Sequence, residues 1–190
     1  MFQKKAKDVS ANTIPLYATH RDFCRIFTED KTALYLLSLL LTADAQKAER
    51  CFVAGLEDSV LGNKVFREWA RSWSKRTIIK NAIRAIAPVP GQLATALHDP
   101  VSAAIGANLD PSLTAVLELA PFQRFVFVMS VLEKYSIADC STLLNCAKQD
   151  VITAQKQALL ALAGTGLATP SVASKAGFDL AHFLEPARAA

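Results

Sequence analysis

The stretch SIADCSTLLNCAKQDVITAQKQALLALA, residues 136–163, decides how the fold is read. It opens on Ser136, whose side chain suits a helix start, with Asp139 three positions later in the manner of a capping box. Ile137, Cys140, Leu143 and Leu144 then recur at intervals of three and four, marking the buried face of a short helix. Asn145 tolerates the left-handed conformation that ends a helix. A longer helix follows from about Lys148 to Ala163, with Val151, Ala154, Ala158 and Leu162 inward. Two short helices joined by a tight turn describe a helix-turn-helix, and equally a plain helical hairpin in a bundle. On the first reading, Gln149, Thr153, Lys156 and Leu160 face outward, with Gln157 at the margin and Lys148 at the helix start.

Working upstream, Asp110-Pro111 and then Pro121 each start a helix, because proline at the first helical position gives up an N–H that has no partner there. Phe122, Phe125, Val126, Met129 and Leu132 form the inward face of the second of these. Pro88, Pro90, Gly91, Pro100 and Gly106 punctuate residues 89–109, which read as a linker holding at most a short helix, Leu93 to Leu97. The first half offers three further helices. Lys31 to Leu41 is apolar almost all round, and Asp44 caps a helix from Ala45 to about Leu56 with Ala48, Cys51, Phe52 and Gly55 inward. The third stretch, Lys64 to Ile86, carries two apolar faces: Phe66, Trp69, Ala70 and Trp73, then Ile79, Ala82, Ile83 and Ile86. One straight helix does not bury both against one neighbour, so a break near Ser72 to Thr77, capped by Ser74, is expected. The expected fold is all-α: two small helical domains, 15–88 and 110–165, joined by the linker 89–109, the second containing the helix-turn-helix, with a C-terminal tail at 166–190.

The chain has 190 residues, 52% hydrophobic and 20% charged, with a formal net charge of +4. That is ample apolar material for a core, and the mild excess of cations makes their placement matter more than their number. No apolar run is long enough to span a bilayer, and no apolar stretch follows the lysines near the N-terminus, so neither a membrane nor a secretory role is expected. Cys24, Cys51, Cys140 and Cys146 form no Cys-x-x-Cys pair, and His20, His98 and His182 are widely separated, so no metal site is expected. Gly164-Thr-Gly166 follows a helix where a phosphate loop precedes one. No local signal marks a nucleophile. A non-enzymatic protein without cofactor is expected.

Charge concentrates on one stretch. Lys64, Arg67, Arg71, Lys75, Arg76, Lys80 and Arg84 stand against Glu68 alone, and Arg76, Lys80 and Arg84 fall on one helical stripe. Cations beside two tryptophans suit single-stranded or melted nucleic acid, cations taking phosphates and rings taking unstacked bases. The same residues also describe a solvated outer face with the tryptophans in the core.

Read in order, several segments resemble the bacterial RNA polymerase sigma factors of the small two-domain, extracytoplasmic-function type. Leu34 to Asp44, ending Leu41-Thr42-Ala43-Asp44, followed by Lys47-Ala48-Glu49, looks like the opening of that family's first domain, where an apolar helix ends in Leu-Thr-Gly-Asp. Trp73 to Arg84 is similar to its basic segment, with Lys80-Asn81 in place of an Arg-Asn pair. Leu119 to Val128 resembles its Leu-Pro-x-x-Gln-Arg-x-Val-Phe-x-Leu, and Ser136 to Leu162 its helix-turn-helix. The resemblance covers roughly residues 20 to 163. It implies a cytoplasmic transcription initiation protein whose partners are core RNA polymerase, promoter DNA and, as a candidate, an anti-sigma factor. Arg76, Lys80, Asn81 and Arg84 would then contact the melted −10 element, and Lys148, Gln149, Thr153 and Lys156 the −35 element. Lys47, Glu49 and Arg50 would face the polymerase.

The chain departs from that pattern in two places. Arg50, Val53 and Ala54 stand where the family has a second acid and then Gln-Glu, and Ile152, Ala154 and Gln157 where it has Lys and two Arg. Residues 111–165 also balance Arg124, Lys134, Lys148 and Lys156 against Glu118, Glu133, Asp139 and Asp150. These features support an alternative: a sigma-like regulator that acts through protein contacts without reading DNA sequence.

Overall fold

The computed structural model describes residues 16–92 and 110–164; within them the chain is all-α, without a β-strand. Helix α1 spans His20–Glu29, α2 Lys31–Thr42, α3 Ala45–Leu61 and α4 Ala70–Ile86, the last entered through a 3₁₀ turn at Arg67–Trp69. In the second half α5 spans Pro111–Glu118, α6 Pro121–Phe127, α7 Ile137–Leu144 and α8 Lys148–Gly164. Helix α6 continues into a π-helical turn at Val128–Leu132.

Helix α1 was not among the expected elements. Its signal is Thr19-x-x-Asp22: the Thr19 hydroxyl accepts from the Asp22 N–H at 3.3 Å, and the Asp22 carboxylate accepts from the Thr19 N–H at 3.0 Å. Phe23, Ile26 and Phe27 form its buried face. Helix α3 starts at Asp44 as expected, with the Lys47 N–H donating to the Asp44 carboxylate at 2.8 Å, but runs on to Leu61. The extra turns are held by burial of Ser59, whose hydroxyl meets that of Thr77 on α4 at 3.0 Å.

The expected break near Ser72 to Thr77 does not occur. Helix α4 is continuous from Ala70, and Ser74 is buried in its interior, donating to the Ala70 carbonyl at 2.9 Å rather than capping a new start. The conflict between the two apolar faces is resolved upstream. Phe66 lies before the helix, in an extended segment bridged to Tyr17, where the Ala18 N–H donates to the Val65 carbonyl at 2.8 Å. Trp69, in the 3₁₀ turn, is 56% exposed and so is not a core residue.

Helix α2 is buried almost throughout and packs on α3 and α4 as well as on α5 and α6. One hydrophobic cluster therefore includes Phe27, Leu37 and Ile78 of the first half and Phe125, Val151 and Ala158 of the second. The boundary is also crossed by Arg124. Its buried guanidinium donates to the carbonyls of Leu117 (3.1 Å) and Leu119 (2.9 Å) and, on α2, of Leu41 (3.3 Å) and Thr42 (3.5 Å). Residues 93–109 of the expected linker, with its short helix, and the tail at 166–190 lie outside the described residues.

Candidate nucleic-acid interface

Helix α4 presents the basic stripe, and four of the seven cations from Lys64 to Arg84 are engaged in ion pairs. Arg67 pairs with Asp22 at 2.9 Å, Arg71 with Glu29 at 2.8 Å and with Asp30, and Lys75 with Glu133 at 2.8 Å. Arg84 reaches Asp58 on α3 at 3.3 Å. Asp58 also accepts from the Asn81 amide at 2.9 Å, while the Asn81 side-chain carbonyl accepts from Arg84 at 3.2 Å. Both ends of the Asn81 side chain are thus spent within the protein, its amide again on the Thr77 carbonyl at 3.0 Å. Asn81 therefore orients Arg84 rather than presenting a free hydrogen-bonding edge.

Lys64, Arg76 and Lys80 form no ion pair among the described residues. The Lys80 ammonium lies 5.7 Å from the centroid of Trp73, within cation–π range. Arg84 remains two-thirds exposed at its side chain (67%), so its pairing with a half-exposed Asp58 is weak and exchangeable. The cations available to phosphates are therefore Lys80, Arg84 and Arg76, with Lys64 at the edge.

Beside the stripe lies a cleft of about 1010 Å³. Phe66, Trp69, Trp73 and Tyr135 line it together with Lys64 and Arg76, so aromatic faces and cations share one concavity. Its far wall comes from the second half: Glu133, Lys134, Tyr135 and Asp139. Burial raises the Tyr135 phenol above its ordinary range, against the opposing pull of nearby Arg76.

The two-helix hairpin of α7 and α8 follows the sequence closely. Ser136 accepts from the Asp139 N–H at 3.1 Å, and Asn145 adopts the left-handed conformation with φ 50° and ψ 51°. Val151, Ala154, Ala158 and Leu162 are buried, whereas Lys148, Gln149, Thr153 and Lys156 are exposed. Gln157 is engaged: its side-chain carbonyl accepts from the Gln123 amide at 3.0 Å. With Arg124 inside the core, the outward cations of this half are Lys134, Lys148 and Lys156.

Lys47, Glu49 and Arg50 lie exposed on α3, with Lys47 within 3.4 Å of Asp44 and Val53 48% exposed on the same helix. Asp58 was not singled out by the sequence, and Glu133 and Arg124 entered it only through the charge balance and the Gln-Arg motif, with no sign of the pairings they make. Asp58 and Glu133 act on partners 26 and 58 positions away, and no local pattern reports such pairings. Among the described residues no three His, Cys, Asp or Glu side chains gather as a metal site, and no helix is long and apolar enough to cross a membrane. No protein-family model matches the chain, and no curated protein matches it.

Proposed function

We propose that this protein is a sigma-factor-like transcription initiation protein that binds nucleic acid through α4 and α8 and core RNA polymerase through α3, in the cytoplasm. The observation that carries the reading is the pairing of two surfaces on one chain. One is a tryptophan-lined cleft beside Arg76, Lys80 and Arg84; the other is a helix-turn-helix whose outward face is polar along Gln149, Thr153 and Lys156. Melted DNA needs cations and ring faces, and duplex DNA needs a protruding helix with donors and acceptors, so each surface suits one form. Neither task calls for a metal, a cofactor or a catalytic residue.

The test is the double variant Lys80→Ala/Arg84→Ala, read by the salt dependence of binding to a promoter fragment carrying a melted bubble. Losing one or two phosphate contacts lowers the slope of log K against log salt by about one to two. An unchanged slope and affinity would mean that the stripe is a solvated face. A second reading has its own support: the internal pairing of Arg67, Arg71, Lys75 and Arg84 and the burial of Arg124 withdraw five cations from the surfaces that nucleic acid would meet. On that reading the protein is a sigma-like regulator that works through protein contacts alone. An anti-sigma factor is a candidate partner on either.

A further inference from the structure

Four locally unfavourable features meet at the tryptophan cleft, three on the segment 128–134 and one facing it from α4. The chain leaves α6 through a π-helical turn, a rare arrangement, with the Glu133 N–H donating to the Val128 carbonyl at 2.9 Å. Lys134 then takes φ 60°, a left-handed conformation that costs a non-glycine residue free energy. The Glu133 side chain is only 5% exposed; one oxygen meets Lys75 and the other is buried without a hydrogen-bond partner. Across from it, the Trp73 indole N–H is also buried and unpartnered. Buried polar atoms left unpaired, and backbone strain, persist where surrounding contacts hold them and are relieved when that segment moves.

We propose that residues 133–136 are a strap over the cleft, hinged on the π-helical turn at Val128–Leu132, whose Val128 and Met129 stay in the core, and latched by the Glu133–Lys75 ion pair, and that releasing the latch opens the cleft to its ligand. The apolar seam between α2 and α6 stays closed, so the strap moves against a fixed anchor rather than the two halves separating. Opening returns Glu133 and the Trp73 N–H to water, which offsets the loss of one ion pair. It also frees Lys75, adding a cation next to Arg76. A phosphate-bearing ligand that takes Lys75 therefore competes directly with Glu133. The ligand half of this proposal rests on the nucleic-acid reading above; the latch itself does not.

The experiment uses the full chain with Trp69→Phe, leaving Trp73 as its single tryptophan. Acrylamide quenching of Trp73 fluorescence reports opening, and binding of a fluorescent oligothymidylate at fixed ionic strength reports the ligand site. Glu133→Gln is expected to raise the quenching constant and to tighten oligonucleotide binding, each by roughly three- to tenfold. Glu68→Gln removes the same charge from the exposed 3₁₀ turn beside the cleft without touching the strap, and is expected to leave quenching unchanged. Lys75→Gln breaks the pair from the other side and keeps the test standing if Glu133→Gln does not fold. The swap Lys75→Glu/Glu133→Lys is expected to restore wild-type quenching. Raised quenching without oligonucleotide binding in any variant supports the strap and removes the nucleic-acid reading. Wild-type quenching in both Glu133→Gln and Lys75→Gln overturns the strap, as does tightening of binding equally by Glu133→Gln and Glu68→Gln.

Discussion

Ala43 is where a single residue bears most directly on the fold. It ends α2 with φ 51° and ψ 29°, in the left-handed region that glycine enters at little cost, and it stands where the resembled family carries glycine. The methyl group costs about 1–2 kcal/mol in that conformation. Glycine gains more freedom when unfolded, by about 0.4–1 kcal/mol, so the two terms partly cancel. Ala43→Gly is expected to stabilise the protein by about 0.5 kcal/mol, read as a small rise in the urea midpoint at constant slope. A lower midpoint would mean that the methyl contact with the core outweighs the backbone term. Asp22 decides a different property. The N–H and hydroxyl of Thr19 donate to its carboxylate and, with Arg67, hold its pKa below the ordinary aspartate range against the upward push of burial. A carboxylate with a depressed folded pKa contributes stability that is complete above its unfolded value and lost as pH falls through the folded one. Asp22→Ala should therefore cost about 1–3 kcal/mol at neutral pH and flatten the acid limb below pH 4. An acid limb as steep as that of the unaltered chain would assign the loss to other carboxylates.

At the scale of elements, the contact between α3 and α4 is set by Gly55. A Cβ built there would lie 2.6 Å from Ile78 Cγ1 and 3.4 Å from the Ile78 backbone. Ile78 is fully buried, and Cγ1 is bonded directly to its Cβ rather than lying at the far end of the side chain, so it has little room to turn away. Alanine would gain up to about 1 kcal/mol in helix propensity, whereas overpacking a closed core costs about 1–3 kcal/mol. Overpacking wins. Gly55→Ala should lower the melting temperature, and a rise would mean that the two helices can separate by the needed few tenths of an ångström. The same contact places the Ser59 and Thr77 hydroxyls side by side, each within hydrogen-bond distance of the Gly55 carbonyl, at 2.7 and 3.0 Å. This close approach also brings Asp58 within reach of Asn81 and Arg84. Glycine at position 55 thus governs how the basic stripe is held. Position 55 was legible as an inward residue; its consequence for the stripe was not, because the partners come from another helix.

Across the whole molecule, what was legible divides along the range of the interactions. Helix starts at Asp44, Pro121 and Ser136, the stop at Asn145 and the inward face of α8 depend on residues a few positions apart, and the sequence displays them. The path from Phe66 to Ala70 does not, because its outcome depends on Tyr17 and on a strand-like bridge formed across some fifty residues. The same distinction separates the basic run from Arg71 to Arg84, visible in the sequence, from the pairing of Arg71 with Asp30, Lys75 with Glu133 and Arg84 with Asp58, visible only in three dimensions. Arg124 counted toward the charge of the second half, yet it lies in the core, and burial lowers its pKa to about 10 while leaving it a cation at neutral pH. Among the described residues, the cations outside ion pairs include Arg76 and Lys80 near the tryptophan cleft and Lys148 and Lys156 on α8, with Arg21, Lys31 and Arg50 on other faces.

The most direct measurement is capture of the purified full-length protein by bacterial core RNA polymerase, followed by footprinting of the complex on promoter fragments. The account predicts capture that is weakened by charge reversal at Glu49 and Arg50, with protection near the −10 and −35 elements. Capture without protection would favour the regulator that acts through protein contacts. No capture, with no protection of any fragment, would contradict the proposed role in transcription initiation.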